Sequence, residues 1–270
     1  MASELAEHVK KMVNEIFAEF KVEQLVRRSD VTHYIISHGE TRCLQFRFSG
    51  DFSILHINGL KTCGDRASGR NGKSLMELMD RLAASIPTLK YIELQDDSEL
   101  VFCNETIPLA YLKILTNENA ESWYGSLGYK SPTDEADKEN NQHVRNMTVD
   151  EAFSYGIIDP SDHSYKAQKM KFFGHLKTDK MLVKDYVNAI FNSIRDFKKD
   201  KCTSDETEKS TFVHTTINAL GKLLIHGGKE WHQQSPILQK PIRTGFGGTT
   251  KKRRASRKRA SRKRSKSRRN

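Results

Sequence analysis

Apolar side chains return every three or four positions between residues 3 and 20, at Leu5, Val9, Met12, Val13, Ile16, Phe17 and Phe20. That spacing predicts an amphipathic helix with its charges on the opposite face. The pattern then shortens to strand-like runs over 31–37, 43–48 and 52–60. Ser37-His-Gly-Glu40 and Ser49-Gly-Asp51 punctuate them. Such punctuation predicts hairpins, so the second and third strands at least should pair antiparallel. A stretch of small residues from Gly64 to Gly72 leads into a helix over 73–82, where Leu75, Leu78, Met79 and Leu82 share a face and Pro87 is the stop. Residues 91–94 read as a short buried strand, 108–115 as a helix, and 120–129 as a helical turn broken by Gly125 and Gly128.

Beyond this the pattern thins. Residues 131–146 are polar apart from Val144 and are expected to form a linker or surface excursion. Thr148-Val-Asp-Glu151 matches a capping box, so a helix should start there. Two longer helices are expected over 181–197 and 208–225, with an exposed polar stretch over 198–210 between them. The fold class is therefore α/β (α+β): a mixed, mostly antiparallel sheet flanked by helices over 1–132, a linker at 133–147, and a helical extension over 148–235. A flexible tether and polybasic tail complete the expectation over 236–270.

Charge changes this picture only at one end. The 270 residues hold 45 Lys and Arg against 34 Asp and Glu, a net of +11. Thirteen of those cations, and no acid, fall in 251–270, which leaves 32 against 34 and a net of −2 before it. No apolar run approaches the ~18–20 residues of a membrane span. The acidic start of the chain does not resemble a secretory signal. Cysteines at 43, 63, 103 and 202 contain no CxxC pair. That spacing speaks against a disulfide framework and a structural zinc site, and for a reducing intracellular setting. The histidines show no metal-binding spacing, and no metal ligand is assigned.

Ala67-Ser-Gly-Arg-Asn-Gly-Lys73-Ser74 satisfies the permissive P-loop pattern, in which backbone amides and the lysine cradle a triphosphate. Six residues separate Leu60 from Ala67, however, and the preceding strands read as antiparallel, which is not the alternating βαβ context of such enzymes. The same physics serves another ligand: a helix start with a glycine-rich lead-in offers free amides to any pyrophosphate.

Antiparallel strands followed by a glycine loop, helix, strand and second helix resemble the order in GNAT (GCN5-related) N-acetyltransferases. Ala120-Glu-Ser-Trp-Tyr-Gly-Ser-Leu-Gly-Tyr129 is similar to the segment of that family in which an aromatic-Tyr pair precedes Gly-Phe or Gly-Tyr. The likeness covers about residues 25–132 and extends to GNAT-like proteins of large DNA viruses. It implies acetyl-CoA as cofactor and an amine as acceptor. The pyrophosphate would lie on the loop containing Arg66, Gly69, Arg70, Asn71, Gly72, Lys73 and Ser74. The pantetheine arm would pair along Leu60, Thr62 and Cys63. Tyr124 would protonate the departing thiolate, unless it and Trp123 are simply packing aromatics. Asp51 and Asp65 bracket the strand that supplies a general base in the family, and Glu93 lies on the next, so no base is assigned.

The tail carries a five-residue near-repeat, Arg254-Ala-Ser-Arg-Lys258, Arg259-Ala-Ser-Arg-Lys263, Arg264-Ser-Lys-Ser-Arg268. Its cations, Lys251, Lys252, Arg253, Arg254, Arg257, Lys258, Arg259, Arg262, Lys263, Arg264, Lys266, Arg268 and Arg269, are expected to bind nucleic acid through phosphates, without base readout. A nuclear, virion or virus-factory location follows from that expectation. The alternative to an enzyme is a non-catalytic DNA- or RNA-binding protein built on the same scaffold.

Overall fold

The structure, a computed structural model, describes residues 2–26, 31–61, 63, 71–178, 180–194, 202–226, 229–230 and 237–242. Thr62, Arg66, Gly69, Arg70 and the whole basic tail from Lys251 lie outside the described residues.

Helix α1 (Ala2–Ile16) is followed by four strands, β1 (Lys21–Val26), β2 (Thr32–His38), β3 (Thr41–Phe48) and β4 (Ile54–Leu60). Then come α2 (Gly72–Ser85), β5 (Tyr91–Gln95) and the hairpin β6 (Glu99–Phe102) and β7 (Glu105–Pro108). Helices α3 (Leu109–Thr116), α4 (Asp134–Asn146), α5 (Val149–Ser154), α6 (His163–Phe173), α7 (Val183–Asn192) and α8 (Ser204–Gly221) follow. The described chain closes with β8 (Ile225–His226), β9 (Lys229–Glu230) and β10 (Ile237–Pro241).

The main sheet has the order β1-β2-β3-β4-β5-β10. Every neighbouring pair is antiparallel except β4 and β5, which run parallel because α2 carries the chain from one to the other. One face of this sheet is apolar. Tyr34, Ile36, Leu44, Phe46, Phe48, Leu55, Ile57, Ile92 and Leu94 are buried there against Val9 and Val13 of α1, Phe17 just after it, and Met76, Met79 and Leu82 of α2. Tyr34 stacks on Phe46 with ring centroids 5.3 Å apart, and Phe48 meets Tyr34 edge-on at 6.0 Å.

A second buried cluster joins α3 to α4, α5, α6, α7 and α8. The two clusters interleave along the chain. Ile107 and the α3 residues belong to the helical cluster, whereas Tyr124, Tyr129 and Leu238 return to the sheet cluster.

Four expectations are corrected. The 131–146 segment is not a linker but contains α4, whose buried face is polar: Asp137, Asn141 and Arg145 recur at every fourth position, beside Val144. Arg145 donates to the carbonyls of Leu115 (3.2 Å) and Glu118 (3.0 Å), and Asn141 exchanges hydrogen bonds with the Ile225 backbone at 2.9 and 3.0 Å. These side chains satisfy loop backbone that would otherwise be buried unpaired. The exposed stretch expected over 198–210 also contains helix: α8 begins at Ser204 under a capping box of Thr203 and Glu206, and Ser210 is buried. The expected tether is, over 237–241, the edge strand β10.

The fourth correction concerns cysteine. Cys43–Cys63 and Cys103–Cys202 are disulfides, with Cα separations of 5.4 and 5.6 Å. Strand register and helix docking select these partners, which spacing cannot reveal. Lys61 N donates to Cys43 O at 2.7 Å across β3 and β4, and Ser210 Oγ donates to Phe102 O at 2.7 Å, holding α8 to the hairpin. On a chain-entropy account, a loop of 99 residues closed by the second bond removes about 4–5 kcal/mol of freedom from the unfolded chain.

Among the described residues no helix is long and apolar enough to cross a membrane, and no group of three His, Cys, Asp or Glu is placed to hold a metal ion.

Candidate functional site

A bulge shapes the site. On β3, Phe46 faces Ile57 and its neighbour Gln45 faces Gly59, so Asn58 is an extra residue on β4. An extra residue bends its strand and adds local twist. The parallel pairing with β5 stops at the same place: it runs from Ile54↔Tyr91 to Ile57↔Leu94, and the remainder of β4 pairs only with β3. The two strands part there. A cleft of about 1400 Å³ occupies the gap, lined by Asn58, Gly59, Leu60 and Lys61 on the β4 side and by Gln95, Asp97 and Ser98 on the other. That exceeds the ~300–1,000 Å³ of an ordinary small-molecule pocket.

The start of α2 stands at the mouth of this gap. Asn71 caps it, its side chain accepting from Ser74 N at 3.1 Å, while Leu75 N donates to Asn71 O at 3.1 Å. The amides of Gly72 and Lys73 have no intrahelical acceptor, as at any helix start, and they carry the positive end of the helix dipole. Gly72 lies at a close approach. A Cβ there would meet Trp123 Cη2 at 3.2 Å and Cζ2 at 3.5 Å, so the indole lies directly on the first turn.

Trp123 and Tyr124 enter the cleft from the other side, their rings edge-on at 4.7 Å. The turn that presents them needs Gly128, whose φ of +90° is left-handed, and Tyr129 N closes it onto Tyr124 O at 3.1 Å. Burial pushes the Tyr124 phenol well above its ordinary value, and the nearby Asp96 and Asp97 charges push it further.

A row of polar residues crosses the sheet in register on the face away from the apolar core: His33 (β2), Arg47 (β3), His56 (β4), Glu93 (β5) and Gln239 (β10). Within it His56 Nδ1 lies 2.8 Å from Glu93 Oε1, and Gln239 Nε2 donates to Glu93 Oε2 at 3.1 Å. His56, Glu93 and Arg47 all line the cleft, and Arg47 Nε is buried with no hydrogen-bond partner.

Leu60, Asn71, Gly72, Lys73, Ser74 and Tyr124, all singled out from sequence, thus line one cleft. Cys63 is tied to Cys43 and is not among the lining residues. His56, Arg47 and Gln239 carry no motif that marks them in the sequence, and Glu93 has no role assignable from it. Their signal is the pairing register, which brings residues 37 apart in the chain, His56 and Glu93, directly opposite one another.

Asp96 lies behind Tyr124 and is 2% exposed. Its Oδ1 accepts from Ser98 Oγ at 2.6 Å, whereas Oδ2 is buried with no hydrogen-bond partner. Burial raises this carboxyl above its usual range, with the Ser98 and Ser122 hydroxyls pulling back, the latter from outside hydrogen-bonding geometry with Oδ2. A carboxyl held higher in the folded than in the unfolded chain contributes fully below the unfolded value of about 3.9. Its contribution is lost as pH rises through the folded value. Asp96→Asn is therefore expected to raise the melting temperature at pH 8 and to leave it unchanged near pH 4. Scanning calorimetry at the two pH values reads this directly; a loss at pH 8 would show that the charge is needed there.

No family model, curated protein or solved structure matches this chain.

Proposed function

We infer that the cleft binds an acyl-CoA thioester and passes its acyl group to an amine, the chemistry of a GNAT-type N-acyltransferase. The observation that carries this reading is the parting of the parallel pair β4 and β5 beside the start of α2.

A parted strand leaves backbone N–H and C=O groups without a ladder partner, and an extended arm with amides of its own, such as pantetheine, can take their place. The diphosphate at the far end of such a molecule suits the free amides of Gly72 and Lys73 and the Lys73 ammonium. The thioester then sits between Tyr124 and the row that contains His56 and Glu93. An ammonium acceptor must lose a proton before it attacks. His56, oriented by Glu93 at 2.8 Å, is the group in the cleft suited to take it.

Tyr124 faces the departing sulfur. An ordinary thiol titrates near 8.5 and an ordinary phenol near 10, and Tyr124 is held above that. Full proton transfer to the thiolate is thus uphill by at least ~2 kcal/mol. The phenol therefore acts by donating a hydrogen bond into the developing charge, and burial strengthens that bond.

Calorimetric titration with acetyl-CoA tests the reading. Saturable binding is expected within the ~1 μM–1 mM range in which enzymes hold substrates. Absence of heat across that range would remove it. A second reading, non-catalytic binding of nucleic acid, draws on the thirteen tail cations. It requires salt-dependent, sequence-independent affinity that disappears on truncation after Thr250.

A further inference from the structure

The charges in the cleft are unevenly placed. Arg47, Lys61 and Lys73 stand on the side formed by β3, β4 and the start of α2, with Glu77 the one acid among them, whereas Glu93, Asp97 and Glu99 line the side formed by β5 and the start of β6. Asp97 and Glu99 are exposed at the lip. A cofactor carrying phosphates belongs on the first side. The second side is built for a cation, and it lies where an acceptor would approach Glu93 and His56.

The same edge of the cleft carries the strand that leads to the tail. Ile237 lines the cleft and pairs with Gln95, and β10 then runs away from it to Pro241, opposite Tyr91. Its four steps cover ~14 Å. Nine Cα–Cα steps lead from Ile242 to Lys251, enough to span up to ~30 Å when extended. The first tail lysine can therefore return to the lip, and the later ones have more chain to spare.

Resting on the acyl-transfer reading, we propose that the acceptor is the chain's own polybasic segment, with Lys251, Lys252, Lys258, Lys263 and Lys266 acylated within the same molecule. The lysine Nζ, having given its proton to the His56–Glu93 pair, attacks the thioester carbonyl carbon. A C–N bond forms, the C–S bond breaks, and the nitrogen gives its second proton to solvent as the neutral amide forms. The electron pair leaves with sulfur, which accepts the Tyr124 hydrogen bond and takes a proton from solvent as free CoA. No oxidant or reductant enters. The short tether supplies the lysines at an effective concentration in the ~mM range, which offsets weak binding of any single side chain. Each transfer removes one positive charge. Five of the thirteen cations are lysines, so complete reaction leaves eight arginines. The tail's grip on a polyanion is graded rather than abolished, and its salt dependence falls by about 0.9 for each phosphate that is no longer neutralised.

The test incubates the full-length protein with acetyl-CoA and follows free thiol, intact mass and the modified peptides. The expected result is acetyl groups on tail lysines, appearing at a rate per molecule that does not change with protein concentration. Asp97→Asn with Glu99→Gln should slow that rate about three- to tenfold, as for two exposed ion pairs. A rate proportional to protein concentration would overturn the intramolecular route. Thiol release to added spermine with an unmodified tail would overturn the proposal while leaving acyl transfer intact, as would an unchanged rate in the double variant. Absence of acetyl-CoA binding, seen equally in protein truncated after Thr250, would sink the acyl-transfer reading itself and this proposal with it.

Discussion

Tyr124→Phe should lower kcat for the proposed acyl transfer about 10²–10³-fold, a loss of ~2.7–4 kcal/mol of transition-state stabilisation. The size follows from where the phenol sits. Only 7% of the residue is exposed, so a hydrogen bond from its hydroxyl to a developing thiolate is not shared with water. Phenylalanine keeps the edge-on contacts with Trp123 at 4.7 Å and Tyr129 at 6.1 Å, so the fold and the KM for acetyl-CoA should change little. Steady-state kinetics with thiol detection separates the two. An unchanged kcat would return Tyr124 to the role of a packing aromatic.

The largest effect on stability is expected from Phe212→Ala, about 3–5 kcal/mol. Phe212 is fully buried in the middle of α8, stacked on Tyr165 at 5.0 Å and on Phe173 at 5.3 Å. Truncation empties a space whose walls are rings on α6, which cannot collapse into it without moving a helix. Urea unfolding followed by circular dichroism measures the shift, and a loss below ~1 kcal/mol would mean that the helical cluster is not packed as described. The consequence reaches the cleft. Ser210 and Thr211, on the same helix, bond Phe102 O at 2.7 Å and Glu105 Oε1 at 2.8 Å, and the hairpin they hold starts at the lip residue Glu99.

Much of the sheet region was legible along the chain. Alternation marked β2, β3 and β4, and the apolar face of Leu75, Met79 and Leu82 marked α2, because in both cases one side of the element meets a continuous hydrophobic core. Helix α4 was not legible by the same rule. Its inward face is Asp137, Asn141 and Arg145, whose partners are hydroxyls and backbone carbonyls rather than other side-chain carbons. A hydrophobic period cannot detect a polar stripe, although the spacing of four was present. Strand β10 escaped for a different reason: five residues, with Leu238 their only buried side chain, carry too little pattern to stand apart from a tether.

The candidate site divides along the same line. The local residues of the α2 start, Asn71 to Ser74, and the Trp123-Tyr124 pair were visible because a helix start and a turn are made by neighbours in sequence. The disulfides and the His56–Glu93 pair were not, since each joins positions whose meeting depends on strand register or on helix docking.

The sequence by itself therefore determined the elements with an apolar period, the mixed sheet with helices, the helix start that can receive an anion, and a −2 body carrying all of its excess positive charge in twenty residues. Tertiary structure alone decided that β4 and β5 run parallel and part after Ile57, that Glu93 orients His56, and that Asp97, Glu99, Lys61 and Lys73 line one cleft. The physical reason is that periodicity records only which side of an element meets a core. The chemistry of a cleft depends on which elements become neighbours and in what register, and that is settled by packing and hydrogen bonding between residues far apart in the chain.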